Sequence, residues 1–187
     1  PYQYSADLTV GDMDALLDVG GEKQAVLGGH SLGGFMSLAY QLLHPDRVKA
    51  LMLFDTGPGY KKDEARVGWN KRAEAMAKNF TEKGLDALGR SAEMLACTHR
   101  SAQGLAFAAR GMLAQRDARV INSLESIKVP TLVLVGDKDE PYFAATDYMA
   151  NKIPGGKKVV IADAGHAANI DQPEAFNRAV LEFLAQG

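Results

Sequence analysis

Residues 28–34 read Gly-Gly-His-Ser-Leu-Gly-Gly, and their surroundings leave few folds open. The apolar run Ala25-Val26-Leu27 leads into this stretch. Leu32, Phe35, Met36, Ala39, Leu42 and Leu43 follow it at spacings of three and four. The run predicts a buried strand and the spacing an amphipathic helix, so the chain must pass from one to the other through a very tight turn. Glycines stand on either side of Ser31, at Gly29 and Gly33, where a side chain is expected to collide with the turn. Gly-x-Ser-x-Gly in this setting strains the serine backbone and exposes its hydroxyl. Ser31 is therefore the candidate nucleophile. The N–H of Leu32, free at the start of the helix, is the candidate donor to an oxyanion.

A nucleophilic serine needs a base and an acid. The continuous apolar run 131–135 reads as a buried parallel strand and ends in Gly136-Asp137-Lys138-Asp139. A second strand, 157–161, ends in Ala162-Asp163-Ala164-Gly165-His166. Both groups thus lie past the carboxyl ends of strands, where open α/β sheets bind ligands. His166 is the candidate base, and a carboxylate would fix its tautomer. Asp137 and Asp139 compete for that role. Asp163 is expected to shape the histidine turn, and Asp55, after the strand 50–54, is a rival acid whose simpler reading is a cap. His44 precedes Pro45 and is expected to cap a helix end, while His99 has no metal-ligand spacing around it.

Gly29-His30-Ser31-Leu32-Gly33, Gly136-Asp137-Lys138-Asp139 and Gly165-His166, with Asn169 and Gln172-Pro173 beyond, resemble the α/β-hydrolase superfamily over nearly the whole chain. The resemblance selects Asp139 as the acid, giving Ser31, His166 and Asp139 as the catalytic set. It implies no cofactor and no metal. It also makes His30, within the turn, a candidate substrate contact.

The coarse pattern gives a helix over 5–19, strands over 24–28, 48–54, 131–135 and 157–161, and helices over 31–43, 141–152 and from Pro173 onward. From 61 to 126 the pattern is helical and far longer than an ordinary crossover. The regions are then 1–56 and 128–187 as parts of an α/β core, with 57–127 a helical insertion that the resemblance makes a cap over the site. Trp69, Met76, Phe80, Met94, Phe107 and Met112 lie on its apolar stripes and are candidates for the pocket wall, although such stripes mostly fill cores.

The 187 residues are 47% hydrophobic and 24% charged, with a net charge of −2, as in an ordinary globular domain with no electrostatic footprint for nucleic acid. There is no apolar run of spanning length and no visible signal peptide. The single Cys97 excludes an internal disulfide, which fits a cytoplasmic protein.

The four strands resemble the last four of the family's eight. By that likeness the chain is the C-terminal part of an α/β-hydrolase fold, without the loop that gives the second oxyanion donor. Alone it is expected to be a slow catalyst, and the unpaired edge of its first strand invites self-association. Pro45-Asp46-Arg47-Val48 and Trp69-Asn70-Lys71-Arg72 resemble the esterase and 3-oxoadipate enol-lactonase branch. The implied substrate is a small carboxylic ester or lactone. A cofactor-free haloperoxidase or perhydrolase, or a non-catalytic ligand-binding protein or inactive fragment of the same fold, is the alternative.

Overall fold

The computed structural model describes residues 4–186; positions 1–3 of the predicted first region and Gly187 lie outside them. Helix α1 (Ala6–Val19) begins at Ser5, whose hydroxyl accepts the Leu8 N–H at 3.1 Å. A cap of this kind contributes about 1 kcal/mol. Strand β1 (Ala25–His30), helix α2 (Leu32–Leu43) and strand β2 (Val48–Phe54) follow. Helices α3 (Asp63–Lys83), α4 (Ala92–Ala96), α5 (Ala102–Ala108) and α6 (Arg119–Asn122) intervene before strand β3 (Thr131–Gly136). Helix α7 (Glu140–Lys152), strand β4 (Lys157–Ile161) and helices α8 (Ala168–Asp171) and α9 (Pro173–Leu184) complete the order.

The four strands form one parallel sheet in the order β1-β2-β3-β4. Parallel sheets need cover on both faces, and period-2 alternation supplies it. Leu27, Leu51, Leu53 and Val133 pack on one face with Leu38, Tyr40 and Met149 from α2 and α7. Ala50, Leu132, Leu134 and Ile161 pack on the other with Ala168 and Phe183. Every position of β3 is buried. Truncating Leu53 or Leu134 to alanine should therefore cost about 2–5 kcal/mol. A third cluster, Ala77, Phe80, Ala106 and Ala109, joins α3 to α5 and the turn after it.

Strand β1 runs two residues further than its apolar pattern suggests. Its pairing with β2 continues to His30 opposite Phe54, through glycines that carry no hydrophobic signal. The helical stretch 61–126 is also more broken than its stripes imply, with a 3-10 turn at Gly84–Ala87 and a π turn at Ala109–Leu113. Among the described residues no helix is long and apolar enough to cross a membrane.

Candidate active site

Ser31 sits between the end of β1 and the start of α2 at φ 51°, ψ −117°. A non-glycine residue there is strained by roughly 1–3 kcal/mol and persists only where its surroundings hold it. They do so through its backbone. The Ser31 N–H donates to the Phe54 carbonyl at 2.9 Å. Its own carbonyl accepts from Thr56 Oγ1 at 2.5 Å and from the N–H groups of Gly34 and Phe35 at 3.1 and 3.3 Å.

The glycines work differently from the sequence expectation. A Cβ on Gly29 would lie 2.2 Å from the Gly33 carbonyl carbon, and one on Gly34 2.5 Å from the Thr56 methyl. On Gly33 itself it would meet no described atom within 4 Å. Gly33 is exposed while Gly34 is buried, so the turn leans on Gly34, not Gly33.

A chain of hydrogen bonds starts at the Ser31 hydroxyl. Ser31 Oγ and His166 Nε2 are 3.0 Å apart, and His166 Nδ1 is 2.8 Å from Asp139 Oδ2. Asp139 is the residue before α7, and its side chain is buried. The neutral tautomer with a proton on Nδ1 donates to Asp139 and leaves Nε2 to accept from Ser31. Asp137 instead accepts the Ala164 N–H at 3.2 Å, and Asp163 pairs with Lys138 at 2.9 Å. The histidine loop is further held by Asp171, which accepts the Gly165 N–H at 2.8 Å.

Asp55 is the other buried carboxylate among the described residues. Its Oδ1 accepts the Gly136 N–H at 2.8 Å, while Oδ2 has no hydrogen-bond partner among them. Burial pushes its pKa up to about 6; the Gly136 N–H pulls it down and the nearby Asp139 pushes it further up. Its contact ties the end of β2 to the start of the Asp139 loop.

Ser31 and Leu32 lie in the wall of a cavity of about 480 Å³, within the size range of small-molecule sites. Leu32 opens α2, where backbone N–H groups have no intrahelical acceptor. Trp69 also lines the cavity. Its indole N–H donates to the Leu113 carbonyl at 2.8 Å, and its ring lies 5.9 Å from that of Tyr60. Asn70 and Gln115 exchange two 2.8 Å hydrogen bonds and fix α3 against the segment after α5. Arg72 is the single charged residue among the described residues of the wall.

The remaining candidates are placed elsewhere. Met76, Phe80 and Met94 line a separate groove between α3 and the 87–94 segment. Met76 shares the stripe of Trp69 but lies seven residues on, about 10 Å along the helix axis. Phe107 packs on Tyr4 at 5.8 Å, and Met112 is not in the cavity wall although its neighbour Leu113 is. His30 does not face the cavity either. Its Nε2–H donates to the His166 carbonyl at 2.5 Å, the two rings are 4.8 Å apart, and burial lowers its pKa. His44 stacks on Tyr40 at 4.9 Å, beside Asp14. Tyr142 and Tyr148 are wall residues that the apolar stripes did not single out. Tyr142 had one signal: it lies three residues after Asp139, in the first turn of the helix leaving that loop.

Residues 1–179 match the model of the alpha/beta hydrolase family. A Bacillus subtilis protein provisionally named a 2-succinyl-6-hydroxy-2,4-cyclohexadiene-1-carboxylate synthase is 28% identical, over 97% of this chain and 73% of its own length. A 3-oxoadipate enol-lactonase of Acinetobacter baylyi is 31% identical, over 88% of this chain and 65% of its own. Among solved structures, MenH from S. aureus superposes with a TM-score of 0.86 at 25% identity, over 97% of this chain and 76% of that one. The chain thus spans about two thirds to three quarters of the length of these proteins.

Proposed function

We propose that this chain, which belongs to the alpha/beta hydrolase family and has its fold, carries the catalytic set of a serine hydrolase that cleaves a small carboxylic ester or lactone. The observation that carries this reading is the continuous path from Ser31 Oγ through His166 to the buried Asp139, at 3.0 and 2.8 Å. In it, Ser31 attacks the carbonyl carbon as His166 Nε2 takes its proton. The tetrahedral oxyanion accepts from the Leu32 N–H. The imidazolium, held by Asp139, returns the proton to the leaving oxygen. Water then repeats the sequence on the acyl-enzyme. The helices between β2 and β3 act as the cap, with Trp69 and Arg72 facing the substrate.

The names of both relatives describe carboxylate-bearing compounds, and an acid-bearing substrate would place its charge toward Arg72. The likeness to the named synthase supports a second reading, in which the same residues serve a reaction other than ester hydrolysis.

A fluorophosphonate, followed by peptide mass spectrometry, tests the proposal together with p-nitrophenyl ester turnover. The proposal expects one adduct, on Ser31, loss of labelling in Ser31→Ala, and ester turnover. An adduct without turnover of any ester or lactone would favour the second reading. No adduct at Ser31 would remove both.

A further inference from the structure

His30 is the last residue of β1, paired with Phe54 of β2, and it immediately precedes Ser31. Its Nε2–H donates to the His166 carbonyl at 2.5 Å, and the two rings lie 4.8 Å apart. The bond joins the neighbour of the nucleophile to the main chain of the base.

Strands β1 and β4 are the two edges of the sheet. The strands that deliver Ser31 and His166 therefore stand three strand spacings apart, about 14 Å. The loop after β4 must reach back over the strand ends to bring His166 Nε2 to 3.0 Å from Ser31 Oγ. Most of its ties do not lead to β1. The Ala164 N–H donates to Asp137 and the Ala164 carbonyl accepts the Lys138 N–H, both in the loop after β3. The Gly165 N–H donates to Asp171 in α8. Asp139, again after β3, orients the His166 ring. Among the described residues, two hydrogen bonds join β1 and its turn to this loop: His30 to the His166 carbonyl, and the Ser31–His166 contact itself. The second is broken when Ser31 gives up its proton and is acylated. The first takes no part in the chemistry and can persist through it. Resting on the serine-hydrolase reading, we propose that His30 is a positioning residue: its bond to the His166 carbonyl holds the base over the nucleophile while the Ser31–His166 contact is broken and remade.

The titratable groups near the His30 ring are His166, Glu93 and Asp139. Burial lowers the His30 pKa. A neutral ring places no second charge against His166 as that residue becomes an imidazolium. With its proton on Nε2, it carries none on Nδ1.

The test compares wild type, His30→Phe and His30→Gln. Phenylalanine keeps a ring against His166 but has no donor. Glutamine loses the ring, but its Nε2 lies the same number of bonds from Cβ as the histidine Nε2 and can donate. With p-nitrophenyl acetate, His30→Phe should lower kcat by about 10–100-fold, since misplacement by about 1 Å costs about 10². KM should change less than about twofold. His30→Gln should recover kcat to within about threefold of wild type, and the rates at which a fluorophosphonate labels Ser31 should follow the same order. In the unsubstituted protein, long-range ¹H–¹⁵N spectra at pH 7.5 should show the His30 proton on Nε2, a readout that does not depend on either variant folding. A labelled wild type with His30→Phe at its rate, with His30→Gln no faster than His30→Phe, or with the His30 proton on Nδ1 alone, would overturn this inference and leave the serine reading standing. A wild type unlabelled at Ser31 would overturn both.

Discussion

At the carboxyl ends of β1 and β2, the Ser31 carbonyl takes three hydrogen bonds and Gly29 has no room for a methyl group. Along α3, Met76 is 48% exposed and Trp69, two turns away, is tied down by one hydrogen bond and a neighbouring ring. Both regions face ligand-sized spaces, yet they constrain sequence differently. At the strand ends the backbone dictates residue type, because a strained φ, a contact of 2.2 Å and a buried carboxylate each admit few side chains. On the helices only apolarity at a given spacing is required. That requirement is the same for a core, a cavity and an outer groove.

The largest effect expected from this contrast separates the two buried carboxylates. Asp139→Asn should lower kcat by about 10⁴, by leaving the imidazole in the wrong tautomer. Asp55→Asn should retain most activity, because the amide oxygen can still accept the Gly136 N–H. Its effect is on stability. A carboxyl whose folded pKa is raised from 3.8 to about 6 binds its proton more tightly in the native state. Its contribution is fully present below pH 4 and is lost as pH rises through 6, by roughly 2–3 kcal/mol. Denaturation by urea at pH 4 and pH 7 should show Asp55→Asn gaining on wild type at the higher pH. An equal difference at both would show that Asp55 is not the group responsible.

Next comes the turn. Gly29→Ala should destabilise the protein by 3 kcal/mol or more, on the scale of a severe overpacking error. Gly33→Ala should be neutral or stabilise the protein by up to about 1 kcal/mol, as expected for an open helical position. Thermal melts of the two variants would break the contrast if their losses were equal.

A smaller effect is expected on the helices. Trp69→Ala should raise KM about tenfold through lost cavity wall, with kcat less affected. Met76→Ala, in the outer groove, should leave both constants within about twofold. Steady-state kinetics on one p-nitrophenyl ester would decide, and equal effects would place Met76 in the substrate's path after all.

This contrast also explains what was legible in the residues. The strands 48–54 and 157–161, Pro173 in the first turn of the last helix, and the order of Ser31, an acidic loop and His166 follow from local patterns, whereas the choice of Asp139 over Asp137 came from the resemblance to the α/β-hydrolase superfamily. The side of the turn that lacks room did not, because Gly33 and Gly34 are adjacent and only the packing of Thr56 distinguishes them. Nor did the place of His30, which acts through a backbone carbonyl 136 residues away. The stripes of Trp69, Met76, Phe80, Met94, Phe107 and Met112 were visible, but that Trp69 lines the cavity and the other five do not depends on how far along its helix each residue lies. Tyr142, an aromatic residue directly after a proline and outside any stripe, carries no periodic signal that would place it in the cavity wall.

The central claim is that Ser31, His166 and Asp139 act as one unit. It is tested most directly by the kcat values for ester hydrolysis of Ser31→Ala, His166→Ala and the double variant. Each single substitution should reduce kcat by about 10⁴–10⁶, and the double variant should be scarcely slower than either. Losses that multiplied in the double variant would contradict a shared mechanism, and single losses below about tenfold would contradict the site itself.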